Sequence, residues 1–250
     1  MMIHRVIAAL IGLALPLVGA QAQAADLKVL SSTAFKAVLE ELGPKFEAAT
    51  ENKLLLTVAG SAALKSQIDQ GAAFDVAVLT PPLIDSLAAA GKIDPASRVT
   101  LARSGMGVSV RAGAPKPNVS TADALKRALL NAKSIGFNGQ GASRVGIEGI
   151  FAKLGIADEL KPKIVLLKTS APEAVATGEV ELALSPVSEI VVVSGAELAG
   201  AVPAELQSYL TLVAAVSSDS KNSDAAKSLL RFLTGPTVLP VLKAKGMEPG

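Results

Sequence analysis

The chain has no cysteine, no tryptophan, one tyrosine and one histidine among its 250 residues. Without cysteine there are no disulfides, no thiolate nucleophile and no sulfur-ligated metal site. The one histidine, His4, lies in a leader that reads as removable. The mature chain therefore holds no Ser–His–Asp triad and no imidazole metal ligand. Aromatic residues make up 3% of the chain, too few for base-stacking platforms or an aromatic sugar cleft. Neither sign of charge is in excess: 24 basic residues face 22 acidic ones, and loss of Arg5 with the leader leaves 23 against 22, a net charge of +1. A nucleic-acid surface would need far more positive charge. After the leader, no charge-free apolar run reaches the roughly 20 residues of a membrane span.

The leader itself is distinctive. "MMIHR" is a short basic stretch, "VIAALIGLALPLVGA" is apolar and broken by Pro16, and Ala22, Gln23 and Ala24 are small enough for a signal peptidase. Residues 1–24 are thus expected to be a signal peptide, and the mature protein, starting near Ala25 or Asp26, to be soluble in the periplasm. With no cysteine at the new N-terminus, a lipid anchor is excluded.

The mature sequence alternates strand-like and helix-like segments. "LKVLSS" (27–32) precedes a helical stretch in which Phe35, Val38, Leu39, Leu42 and Phe46 recur at helical spacing. "KLLLTVAG" (53–60) precedes a helix closed by Gly71, and "FDVAVLT" (74–80) precedes a helix opened by prolines. "MGVSVRAG" (106–113) reads as a strand leaving this unit. The pattern then restarts with a helix capped by Thr121, followed by strands at 132–138, 163–169 and 181–190. "YLTLVAAVS" (209–217) returns to the first unit, and two helices close the chain. Alternation of this kind predicts an α/β protein whose mainly parallel sheets are covered by helices. A chain that crosses over and returns is expected to form two lobes with a cleft between them. Lobe 1 is expected over residues 26–106 plus 212–250, and lobe 2 over 107–211.

Three strand ends, "VLSST", "TVAGSA" and "IGFNGQGAS", run straight into small hydroxyl or glycine residues at a helix start. Free backbone N–H groups and the positive helix end suit an anion there, with hydroxyls as further donors. The same residues are also good helix caps, so any one such turn taken alone reads as a cap. Carboxylates do not gather for a metal: Asp75, Asp85 and Asp94 stand on separate segments and read as a solvated face. A Ser–Lys hydrolase, suggested by Ser218–Lys221 and by Lys168–Thr169–Ser170, has its motifs in the wrong order. "GQGASR" misses the dinucleotide-binding glycine pattern at Arg144.

Taken in series, "VLSSTAFKAVLEELGPKFE", "VAGSAALKSQIDQGAAFDVAVLT", "GASRVGIEGIFAKLGI", "TGEVELALSPVSEI" and "FLTGPTVLPVLKAKGMEP" resemble the molybdate-binding periplasmic protein family and its less characterised relatives. The resemblance implies a monomeric receptor of an ABC importer, which binds a small oxyanion between two lobes and delivers it to a membrane permease. It implies no enzyme activity, no cofactor and no directly coordinated metal. Carried over by position, the ligand donors are Ser32 and Thr33, Ser61 and Ala62, Ala142 and Ser143, and Ser185 and Ser188. Two departures bear on the ligand. Pro186 stands in the segment where the family commonly has a tyrosine, and Arg144 stands in a turn that is usually neutral. Arg144 either contacts an organic anion, a carboxylate or phosphonate, or pairs with Glu148 one helical turn later.

Overall fold

The computed structural model describes residues 24–250, so all but the last residue of the expected leader lies outside the described residues. The first unit opens β1 (Asp26–Ser32), α1 (Lys36–Thr50), β2 (Lys53–Ala59), α2 (Ser61–Asp69), β3 (Val76–Leu79) and α3 (Pro81–Ala89). Then come β4 (Val99–Arg111), α4 (Ala122–Asn131), β5 (Ile135–Asn138), α5 (Arg144–Lys153), α6 (Ala157–Leu160), β6 (Ile164–Leu167) and α7 (Ala171–Thr177). The chain ends with β7 (Leu182–Pro186), α8 (Val187–Ile190), β8 (Ala196–Ala201), β9 (Tyr209–Val216), α9 (Ser223–Leu233), α10 (Leu239–Ala244) and β10 (Glu248–Pro249).

Local chemistry explains most of these boundaries. In α1 the apolar stripe predicted from spacing is buried at Val38, Leu39, Leu42 and Phe46. Pro81 and Pro82 open α3, where their missing N–H groups cost nothing. The chain leaves α2 through Gly71 at φ +94°, a conformation glycine adopts without strain. Thr121 caps α4 as expected, its hydroxyl accepting from the Ala124 N–H at 3.2 Å. Thr121→Ala should therefore lower stability by about 1 kcal/mol in urea denaturation, with little effect on ligand affinity.

The strands follow the order β2-β1-β3-β9-β4-β7-β5-β6, with β8 and β10 also paired to β4. Two parallel trios, β2-β1-β3 and β6-β5-β7, form the α/β centres of the two halves. The strands between them are antiparallel: β9 against β3 and β4, and β7 and β8 against β4. The alternating β and α pattern could not show these, because a strand that links two sheets has no crossover helix of its own. Strand β4 also starts earlier than the stretch 106–113 suggests, since Val99–Gly105 already pair with β9. The 13-residue β4 pairs with β9 through Gly105 and with β7 from Met106 onward.

Register fixes how the two halves face each other. In the first half β4 runs parallel to β1 and β3, because all three oppose β9, so it leaves past the carboxyl ends of those strands. In the second half its incoming residue, Met106, pairs with Pro186, the last residue of β7. The carboxyl edges of the two parallel trios therefore flank one crossing, at residues 105–106. Open α/β sheets bind ligands at such edges.

Cores lie on both sides of this ribbon. Phe35, Phe46, Phe137 and Phe151 are fully buried, with Phe137 edge-on to Phe151 at 5.9 Å between ring centres. Asp75 corrects the sequence reading of a solvated carboxylate, since it is 6% exposed. Its Oδ2 accepts the Lys28 N–H at 2.8 Å and its Oδ1 accepts the Ser220 hydroxyl at 2.6 Å. It ties β1 and β3 to the turn after β9, a buried carboxyl held by donors on both oxygens.

Candidate functional site

The sequence-predicted serines lie at the carboxyl edges of the two parallel trios. Ser32 ends β1 and lies level with Ala59, two residues before Ser61. On the other edge, Ser143 precedes α5, Ser185 lies in β7 opposite Gly107, and Ser188 lies in α8. All five are buried, whereas Thr33, Ala62 and Ala142 are exposed, and Arg144 is intermediate.

Burial of a hydroxyl normally goes with a hydrogen bond, because an unpaired one loses its hydration without return. Here the hydroxyls of Ser61, Ser185 and Ser188 are buried and have no partner among the described residues. Helix capping does not account for them. Ser61 follows the N-cap Gly60 and is already the first helical residue of α2. Neither Ser32 nor Ser143 makes a side-chain capping bond, although each sits at an N-cap position. The capping reading fails for these residues, yet it holds for Thr121 and for Ser170, whose hydroxyl accepts from the Glu173 N–H.

Arg144 is committed elsewhere. Its Nε donates to Glu148 at 2.8 Å and its Nη1 donates to the Gly139 carbonyl at 2.8 Å. Of the two alternatives open at the sequence level, the geometry is that of the ion pair, which also ties down the loop before α5. In this arrangement the guanidinium is engaged by Glu148 and Gly139, and the other residues singled out from the sequence, serines and backbone N–H groups, are neutral donors. Arg144→Ala should change oxyanion affinity by less than roughly threefold and cost about 0.5 kcal/mol of stability, as for an exposed i,i+4 pair. Calorimetry and urea melts of the same variant measure both.

Two groups near these serines had no signal in the sequence. Ser104, on β4 just before the crossing, accepts the Ser188 N–H at 3.0 Å and donates to the Gly246 carbonyl at 3.0 Å. It links α8 to the C-terminal segment that folds back onto the first half. Glu189 follows Ser188, and burial pushes its carboxyl up to about 7. No hydrogen bond or ion pair holds it among the described residues. A serine in "ARSGMG" and a glutamate in "PVSEI" look ordinary until the crossing brings them beside the edge.

The hydrolase reading does not survive the topology. Ser218 follows β9, at the amino edge of β1 and β3, whereas Lys168 follows β6 at a carboxyl edge of the other half. No group of three or more His, Cys, Asp or Glu able to hold a metal occurs among the described residues. Likewise, none of the described helices is long and apolar enough to cross a membrane.

A family profile for bacterial extracellular solute-binding proteins matches residues 27–248. The chain belongs to that family. This solute-binding protein is 30% identical over 241 residues to an aconitate isomerase of Pseudomonas sp, covering 94% of this chain and 91% of that one. It is 28% identical over 240 residues to the molybdate-binding protein ModA of Azotobacter vinelandii, covering 92% of each. Its fold matches the solved periplasmic molybdate-binding protein of Azotobacter vinelandii with a TM-score of 0.76 at 22% identity, covering 90% of this chain and 99% of that one. The solute-binding protein therefore has the two-sheet α/β architecture of periplasmic receptors, as the sequence series implied. One relative is named for a bound anion and another for the conversion of an organic acid, so the ligand has to be argued from the site.

Proposed function

We propose that this solute-binding protein captures a small tetrahedral oxyanion, molybdate or tungstate, for an ABC importer. One lobe, residues 26–106 plus 212–250, closes against the other, residues 107–211, and the membrane permease reads that closure. The protein acts in the periplasm, as a monomer, after loss of a signal peptide over residues 1–24. The observation that carries the reading is the set of buried, unpartnered hydroxyls of Ser61, Ser185 and Ser188 at the two facing edges. Such groups cost free energy in the ligand-free protein and recover it when an anion accepts from them. Ser32 and Ser143 complete the donor set, with Thr33, Ala62 and Ala142 as exposed neighbours offering backbone N–H groups.

Neutral donors also suit discrimination. A fixed number of O–H and N–H groups favours an ion whose oxygens are all unprotonated, whereas a free guanidinium would attract any anion. With Arg144 held by Glu148, the site lacks the forked cation that a carboxylate or phosphonate would use. Calorimetry of the mature protein against molybdate, tungstate, sulfate, phosphate and aconitate tests the reading. Micromolar or tighter molybdate or tungstate binding, with the organic acid silent, is the expected result. Tight binding of the organic acid alone would overturn it.

A second reading has its own support, the 30% identity to an aconitate isomerase together with the partnerless Glu189 carboxyl beside Ser188. An isomerase of an unsaturated acid must take a proton from one carbon and return it to another, and a carboxyl poised near neutrality suits that task. Nuclear magnetic resonance of trans-aconitate incubated with the protein decides this reading: steady appearance of the cis isomer supports it, and an unchanged spectrum removes it.

A further inference from the structure

The two chain crossings between the halves are the β4 stretch around Gly105–Gly107 and the return segment Val202–Ser208. They already share ladder bonds, since the Met106 N–H donates to the Ser208 carbonyl at 3.2 Å and the Val202 N–H donates to the Met106 carbonyl at 2.9 Å. One side chain makes four further bonds, two across to β4 and two within its own return segment. The Gln207 Oε1 accepts from the Met106 N–H at 2.6 Å and from the Ser208 N–H at 3.0 Å. Its Nε2 donates to the Met106 carbonyl at 3.2 Å and to the Val202 carbonyl at 2.9 Å. Both donors and both lone pairs of the carboxamide are in use. The amide lies close over β4, where a β-carbon at Gly105 would sit 2.9 Å from Nε2.

The residues gripped by Gln207 and their neighbours on β4 reach each donor segment of the second half. Met106 and Gly107 pair with Pro186 and Ser185. Ser208 packs against Gly146 in α5, so closely that a β-carbon there would run into its hydroxyl. Ser104, two residues before Met106, receives the Ser188 N–H.

We propose that Gln207 is the positioning residue of the hinge, its carboxamide binding the two crossings into one ribbon so that the Ser143, Ser185 and Ser188 segments reach the opposite edge in register. The proposal rests on the reading of the protein as a closing receptor. Gln207 itself touches no ligand.

The cysteine-free chain makes the test direct. Cysteines placed at the exposed positions Ala90 and Lys153, one in each half, carry spin labels, and pulsed EPR measures the distance distribution with and without molybdate. In Gln207→Ala the ligand-free distribution should broaden, and molybdate affinity should fall about tenfold as preorganisation is lost. Gly105→Ala should do the same, because its methyl displaces the amide while Gln207 remains. Gln207→Glu keeps the shape but faces two carbonyls with a carboxylate. Its distribution should be broad at neutral pH and narrow as the pH falls through the carboxylate range, a response absent from the parent. Folded variants, checked by thermal melting, whose distributions and affinities match the parent's would overturn the proposal. Should the parent bind no oxyanion, the receptor reading fails, and the ligand-free distributions alone then support or overturn the role of Gln207.

Discussion

Replacing Ser61, Ser185 and Ser188 together by alanine is expected to abolish measurable oxyanion binding while leaving the ligand-free protein at least as stable as the parent. A hydrogen bond to a charged group contributes about 1.5–3 kcal/mol, so each single variant should lose roughly ten- to 150-fold in affinity. The three donors share one ion and will not add strictly, yet a combined loss of a thousandfold or more is expected on the same scale. Stability should move the other way. A buried hydroxyl without a partner carries a desolvation cost of about 1–3 kcal/mol, and alanine removes it at the expense of a few van der Waals contacts. These serines are buried and partnerless, so removing them relieves the ligand-free state. Ordinary core serines would show the reverse, with affinity intact and stability reduced. Calorimetry and urea melts on the same preparations separate the two. Retention of tight binding by the triple variant would end the case for this site.

The donor segments were legible in the sequence because each is local: a strand end, then a glycine or hydroxyl, then a helix start. Ser61 in "TVAGSA" needs no tertiary information to be placed at the head of α2. What joins the segments is not local. The pairing of Met106 with Pro186, which brings the two edges face to face, follows from a register spanning 80 residues. Periodicity does not encode such a register, and β4 reads as one apolar run although its two halves serve different sheets. The same limit hid Gln207 and Ser104, whose partners lie up to 142 residues away. It also made Asp75 look solvated, because its principal donors are the backbone at Lys28 and a serine 145 residues later. Strand β8 was missed for a different reason. "AELAGA" is poor in β-branched residues, and it is held by pairing along β4 more than by its own propensity.

Glu189→Gln should stabilise the ligand-free protein above neutral pH and leave it unchanged in acid. Burial raises the Glu189 carboxyl from 4.5 to about 7, so the folded protein holds this proton more tightly than the unfolded chain. Below pH 4.5 both states are protonated and the group contributes no difference. As the pH rises from 4.5 to 7 the unfolded chain releases the proton first, and stability falls across that window. The full difference corresponds to about 3 kcal/mol, an upper bound because the side chain keeps some contact with water. Urea melts at a series of pH values should show the parent falling away from the glutamine variant through this window, and then running parallel to it above. An anion held at Ser188 would oppose ionisation of the neighbouring carboxyl, so oxyanion binding near neutral pH should take up a proton in the parent and none in the variant. Calorimetry in buffers of different ionisation enthalpy measures that uptake. Parallel melts over the whole range would show that Glu189 titrates normally and has no part in the site. A variant that binds oxyanion unchanged but loses all turnover of aconitate would instead give the carboxyl a chemical task and move the protein from receptor to isomerase.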